Sequence, residues 1–478
     1  MDLFNKLEQH HKENIYPYHM PGHKRKPLTK VLERVSDLDI TEIDGFDNLN
    51  HPEDILLDMQ KHAAQVYGAE ESFYLTGGST LGILSAVSAV TDPGNTILIG
   101  RNCHKAVYHA AYIRQLNVEY VYPKFDADWQ VVTYIDATQI KEKLESCDTI
   151  KAVVIVSPTY EGYCSNIYEI AELVHSYGKI LIVDEAHGAH FRFHDAWPHS
   201  AVKAGADIVI QSLHKTLPSM TQTAILHVCG PRIDREKLRR CLSVYQTSSP
   251  SYVFMASIEE SIAYMETHGY AEMENFRELW INLHNTLQSC EYVEVSDHYK
   301  QQHDIGKLLI SARKAGIDGQ MLHTILRERF SLQMEMAQGE YVLAMFTVAD
   351  RKDAYDRLTE ALLVLDEEYK QEQVNKSKPK KSKNKTVFLE DYLHNEKECE
   401  LFEAWDRDYE WSNLGESVSK SSADFINLYP PGIPLVVPGE ILSQNMVNII
   451  REYCVLNLPV QGIRRFENEV QVKVLKRK

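Results

Sequence analysis

What the chain lacks narrows it first. In 478 residues no apolar run approaches the ~18 residues that a membrane-spanning helix requires. The opening "MDLFNKLEQHHKENIYPYH" is polar and holds no apolar signal segment, so a cytoplasmic location is expected. Eight cysteines are scattered without a C-x-x-C pair, several inside apolar runs such as "ILHVCG". That pattern speaks against a disulfide framework and for reduced, buried thiols. Basic patches are scarce as well. Lys and Arg number 51 against 68 Asp and Glu, a formal net charge of −17, and the single dense basic stretch is "NKSKPKKSKNK" (375–385). No nucleic-acid partner is expected, whereas an acidic body suits a small cationic substrate. No internal repeat is evident.

What is present is ordinary globular material, 44% apolar and 25% charged, enough for a large core. The first ~45 residues carry turn signals ("PYHMPGHKRKP") and little periodicity, and read as an arm laid over the rest. From residue 70 short apolar runs alternate with helix-like segments: "SFYL", "TILIG", "AVVIVS", "ILIVDEA", "DIVIQS" and "TAILHV". Continuous hydrophobicity marks strands buried on both faces, and strand–helix alternation marks a mostly parallel sheet. Helical spacing returns in "ASIEESIAYMETHG" and "FRELWINLHNTLQS", followed by a smaller α/β section. The expected division is an N-terminal arm (1–45), a large domain (46–265), a small α/β domain (266–370), a lysine-rich linker (371–386) and a C-terminal α+β domain (387–478).

In an open parallel sheet, ligands bind beyond the carboxyl ends of the strands. After "SFYL" come Thr76, Gly77, Gly78, Ser79 and Thr80, opening a helix; after "TILIG", Arg101, Asn102, Cys103 and His104. "AVVIVS" leads to Pro158, Thr159 and Tyr160; "ILIV" to Asp184, Glu185, Ala186 and His187; "DIVIQ" to Ser212, His214 and Lys215. Each has a plain reading: "TGGST" as a turn, His104 as a core histidine, Asp184 as a helix cap, Lys215 reaching solvent. Together they supply an anion cradle, a flat ring, an acid and an amine. Pyridoxal phosphate needs a lysine for its aldehyde, a carboxylate opposite its pyridine nitrogen, and phosphate donors at a glycine-rich helix start. A lysine between two core segments then has a purpose, since a buried amine is held nearer its neutral, nucleophilic form.

"MPGHK", "TGGST", "RNCHK", "DEAHG", "SLHK" and "YPPGIPLVVPGE", in this order, resemble the prokaryotic ornithine/lysine/arginine decarboxylase family over nearly the whole chain. The resemblance implies fold type I, the aspartate-aminotransferase-like fold, and dependence on pyridoxal phosphate. It implies that Lys215 carries the cofactor, that Asp184 faces the pyridine nitrogen, and that His104 and Ala186 cover the two ring faces. Gly78, Ser79 and Thr80 would hold the phosphate with Ser212 and His214. His187, where larger members can have an aromatic residue, counts with the cofactor-binding group. "YQTSSPSY" (245–252) matches a segment that reaches the neighbouring subunit's phosphate, with Ser248 as the residue expected there. A homodimer with shared sites follows, or a tetramer built from it. The wing domain of the larger members is expected to be missing.

The implied activity is α-decarboxylation of a basic L-amino acid, arginine favoured, then lysine or ornithine. The substrate's distal cation needs an acid, for which Glu440 in "VVPGE" is the candidate; the alternative is that Glu440 caps the helix beginning "ILSQNMVNII". An aminotransferase is the nearest rival, with another lyase on the same fold beside it; the aminotransferase calls for an arginine clamp, and "EYVLAMFTV" has none. A zinc site in "DEAHGAHFRFH", from His187, His190 and His194, and an inactive regulator are further rivals. The first leaves Lys215 unexplained, and intact Lys215, Asp184 and His104 oppose the second.

Overall fold

The computed structural model describes residues 12–13, 15–43, 45–297, 302–375, 394–428, 432–456, 458–466 and 469–476. All six apolar runs are strands of one seven-stranded sheet, ordered Glu71–Leu75, Ala224–Val228, Ile208–Gln211, Ile180–Asp184, Ile150–Val156, Thr96–Gly100 and Asn117–Val121. Ala224–Val228 alone runs against its neighbours. Thr96–Gly100, Ile208–Gln211 and Ala224–Val228 are buried at every position, which is why they read as unbroken apolar runs. Alternate side chains serve two cores: Val154 and Ile182 face one helix layer, while Val153, Leu181 and Val183 face the other. The seventh strand, Asn117–Val121, did not stand out in the sequence. It lies at the edge of the sheet and is only partly buried, so its polar positions mask it.

Two expected boundaries fall inside helices. The segments "ASIEESIAYMETHG" and "FRELWINLHNTLQS" are a single 36-residue helix, Tyr252–Leu287, so the division expected after residue 265 falls inside a continuous element. Gly269 does not break it; a Cβ there would sit 3.2 Å from Phe193 Cβ, so the glycine serves close packing. The helix Lys352–Asn375 likewise runs past residue 370. The lysine-rich run itself lies outside the described residues beyond Asn375.

The arm is part of the fold. Its strand Tyr16–Tyr18 pairs in parallel with Leu332–Met334, beside the antiparallel small-domain sheet built from Glu294–Val295, Lys307–Ser311, Tyr341–Met345 and Met336–Gln338. Lys24 of "MPGHK" is buried and donates to the carbonyls of Pro17 (3.0 Å), His19 (3.0 Å) and Met345 (2.8 Å). Gly22 donates its N–H to His214 O at 2.7 Å. A Cβ on Gly22 would meet Leu217 backbone at 2.8 Å, so only glycine lets the arm lie against the turn that bears Lys215.

The C-terminal domain packs two three-stranded sheets with the helix Gln444–Val455. It is fastened to the large domain by a buried ion pair. Arg101, fully buried just after Thr96–Gly100, places Nη2 3.0 Å from Glu440 Oε2 and donates to Pro434 O (2.7 Å) and Leu435 O (3.1 Å). Glu440 Oε2 also accepts from Asn395 Nδ2 (3.0 Å) and Val437 N (2.9 Å). Removing one partner of such a pair leaves a buried charge uncompensated. Glu440→Ala is expected to lower stability by about 3–5 kcal/mol in urea unfolding, and an Arg101→Met/Glu440→Leu double variant to recover most of that loss.

Candidate active site

Adjacent parallel strands place the acid and the amine. Ile180–Asp184 ends on Asp184, which pairs in register with Ile210 of the next strand. That strand stops at Gln211, Ser212 opens a single helical turn Leu213–Thr216, and the turn carries His214 and Lys215. Asp184 is buried; its Oδ1 accepts from Ala186 N at 3.1 Å. Burial pushes its carboxyl above the ordinary range, opposed by the charge of Lys215. Burial lowers Lys215 in turn, and Asp184 opposes that shift. Lys215 Nζ lies 3.1 Å from His187 Nε2.

The anion cradle forms where Glu71–Leu75 turns into the helix Gly78–Val90. Gly78 sits at φ +70°, a left-handed conformation that glycine adopts without strain. Ser79 Oγ lies 2.5 Å from Ser212 Oγ, so hydroxyls from two strand ends meet at a helix start, where N–H groups and the dipole favour an anion. His104 is the N-cap of the helix Lys105–Ile113, its Nδ1 accepting from Ala106 N at 3.2 Å. Burial, then the charge of Lys215, brings its pKa down to about 3; the ring is a neutral, flat surface. His214 lies 2.9 Å from Thr223 O through Nδ1 and is lowered to about 4 by burial. Its one ring proton is committed to that carbonyl, so a neutral His214 offers an anion no further N–H donor.

Gly78, Ser79, Thr80, His104, Asp184, Ala186, His187, Ser212, His214 and Lys215 all line one cavity of about 510 Å³, a size suited to a small organic ligand. Two expected residues do not. Ser248 is exposed on the loop between the helices Arg235–Tyr245 and Tyr252–Leu287. Glu440 is corrected: its carboxylate is spent on Arg101, and the helix cap is Ser443, which accepts from Met446 N. The three histidines of "DEAHGAHFRFH" take separate partners. His187 meets lysines, His190 meets Asp304 at 3.1 Å, and His194 meets Glu274 at 3.0 Å. Among the described residues no group of three metal-ligating side chains converges.

Sequence reading missed Glu335. It joins Asp184 as the only other carboxylate among the described residues lining the cavity. It accepts from Met20 N at 2.9 Å and from Tyr160 Oη. It also missed Met20 from the arm and Ile433 and Gln461 from the C-terminal domain. These reach the cavity through long-range packing that no local pattern announces, although "MPGHK" marked the arm as special.

The residues fit pyridoxal phosphate on an observation independent of any motif. Asp184 is a buried acid whose burial is offset only in part, and a protonated pyridine nitrogen supplies the missing compensation. The opposite end of the cavity presents hydroxyls and a helix start to a phosphate.

The profile described as Orn/Lys/Arg decarboxylase, major domain, matches residues 1–307. The uncharacterized protein YaaO of Bacillus subtilis (strain 168) is 33% identical over 479 residues, covering 96% of this chain and 95% of that protein. An arginine decarboxylase of the same organism is 30% identical over 477 residues, with 96% and 95% covered. Among solved structures, lysine decarboxylase A from Pseudomonas aeruginosa matches with a TM-score of 0.78 at 18% identity, covering 99% of this chain and 80% of that one; this likeness is one of fold.

His104→Ala is expected to weaken cofactor binding roughly 2- to 10-fold through lost ring stacking. Because His104 charges only near pH 3, the ratio of wild-type to variant affinity should stay flat between about pH 5 and 8, where an ordinary histidine titrates. Equilibrium cofactor titration at several pH values checks both.

Proposed function

The chain belongs to the Orn/Lys/Arg decarboxylase family, and from that premise we propose that it removes the α-carboxyl group of arginine, with lysine and ornithine as the next substrates. At the coarser level it is a pyridoxal-phosphate-dependent decarboxylase of a basic amino acid, a carboxy-lyase. The observation that carries this is the convergence of Lys215, Asp184 and the Ser79–Ser212 cradle in one cavity. Arginine is favoured because the relative bearing that name matches along nearly the full length of both chains.

The cofactor, when bound, supplies an electron-poor ring that takes up the electron pair left as carbon dioxide departs. Everything else is work for side chains. Lys215 would carry the aldehyde end, Asp184 would keep the ring nitrogen protonated, and the helix start at Gly78 with Ser79, Thr80 and Ser212 would hold the phosphate, while His214, its N–H taken by Thr223 O, lines the cavity without donating to it. His104 and Ala186 cover the ring faces. Among the described residues lining the cavity there is no arginine, which favours loss of the carboxylate over its retention in a bidentate clamp. Glu335 replaces Glu440 as the acid for the substrate's distal charge. Tyr160 and Met20 fix its carboxylate and leave it lone pairs for a cation.

A homodimer belongs to the same proposal. Ser248 sits among exposed apolar groups, with Val244 76% and Phe46 49% exposed. Phe46 contacts Tyr252, and Asn50 donates to Thr247 O, so the two segments form one surface. A groove of about 760 Å³ beside it is lined by Leu49, Phe73 and Leu242. Such a patch suits a second copy. A cytoplasmic setting in polyamine synthesis belongs to the same proposal, and the eight free cysteines agree with a reducing compartment.

Purified protein with pyridoxal phosphate should convert arginine to the amine plus carbon dioxide, read by mass, faster than lysine or ornithine; keto-acid formation would contradict the reading. Glu335→Gln should raise the KM for arginine roughly 10- to 100-fold, the weight of a charge-assisted hydrogen bond of about 1.5–3 kcal/mol, with a smaller change in kcat. Val244→Asp should convert dimer to monomer in analytical ultracentrifugation.

A further inference from the structure

His187 is held between two amines. Its Nε2 lies 3.1 Å from Lys215 Nζ and its Nδ1 lies 2.9 Å from Lys307 Nζ. Lys307 comes from the first residue of the small-domain strand Lys307–Ser311 and is 1% exposed; His187 is 5% exposed. Gly162 backs this lysine: a Cβ there would come within 2.9 Å of Lys307 Cβ and Cγ. Tyr160 packs edge-on against the imidazole at 4.8 Å between ring centres.

Proton counting constrains this array. A neutral imidazole has one N–H and one lone pair in the ring plane. It cannot accept from two ammonium groups, so one of the two amines must be neutral and take the ring's hydrogen. The doubly protonated ring is disfavoured by burial and by any charge on the neighbouring lysines. Two arrangements remain. In one, Nε2–H points to a neutral Lys215 and Nδ1 accepts from a charged Lys307; in the other, Lys215 is charged and Lys307 neutral.

We propose that His187 and Lys307 form a proton relay that sets the charge of Lys215. When the Lys307 ammonium passes a proton to Nδ1, the Nε2 proton moves to the Lys215 lone pair; Lys215 gains one proton, Lys307 loses one, and no heavy-atom bond changes. The reverse motion returns Lys215 to the free amine. The relay rests on Lys215 being the cofactor-bearing lysine, which must be neutral to bond an aldehyde and protonated to deliver a proton. Lys307 acts through His187 and is a positioning residue. The other groups acting on the array are Asp184 and Glu335 on Lys215, His104 and His214 on His187, and Asp304, Glu335 and Lys24 on Lys307. Burial brings Lys307 down to about 8, within reach of such an exchange.

The test is the pKa of Lys215 in the full-length chain freed of cofactor, from competitive trace acetylation and peptide mass spectrometry across pH. Lys307→Met should raise it by about one unit, because without the Lys307 donor the ring can carry its proton on Nδ1 and offer Nε2 as acceptor to a charged Lys215. In a His187→Gln background the same substitution should leave it unchanged, because the coupling runs through the ring. An equal rise in both backgrounds means a through-space charge effect and overturns the relay, as does no rise in either. Should the Met variant fail to fold, Lys307→Arg decides. A permanent donor fixes Nδ1 as acceptor and should keep Lys215 low, whereas a rise there contradicts the proposal. No amino acid is present in this measurement, so its outcome is independent of which substrate is turned over.

Discussion

Everything at the centre of this protein follows from burying one amine beside one acid. Burial alone pushes Lys215 toward the neutral amine and Asp184 toward the neutral acid, and each is partly restored by the other. The two are brought together because neighbouring parallel strands end together. Asp184 is in register with Ile210, and Ser212, the cap of the turn bearing Lys215, follows two residues later. Charge placement in a low-dielectric pocket is expensive without partners, so the surroundings are organised around it: a neutral His104, a bridging His187, and an arm whose Gly22 lies against the same turn.

The outer parts of the chain hold that arrangement from three sides. Lys24 donates to two carbonyls of the arm, Pro17 and His19, and to Met345 O of the neighbouring sheet, tying the two together. Lys307 reaches His187 from the small-domain sheet. Arg101 fastens the C-terminal domain to the loop that also carries His104, and that domain contributes Ile433 and Gln461 to the cavity. Residues between Gly78 and Lys215 supply most of the cavity wall, and Met20, Glu335, Ile433 and Gln461 complete it.

The parts legible in the sequence are those with local causes. Strands buried on both faces announce themselves as unbroken apolar runs. The cradle announces itself because a left-handed Gly78 at a helix start needs glycine, and Lys215 because a lysine between core segments demands a reason. The parts that were not legible depend on distant partners. Glu440 was read as the acid for a substrate's distal charge or as a helix cap, yet its partner is Arg101, far away in the chain. Lys307 opens a short strand and Glu335 sits at the bend between two others, neither with a motif of its own, and their meaning appears only when His187 and Tyr160 come beside them. The long helix Tyr252–Leu287 showed in the sequence as two separate helical stretches, and Gly269 at the end of the first is a close approach to Phe193.

The account stands on a covalent attachment at a single position. Holoprotein reduced with borohydride, digested and mapped by mass spectrometry should carry the pyridoxyl group on the peptide containing Lys215 and on no other. A label on Lys307, Lys105 or any other lysine, or a protein that takes up no label, contradicts it.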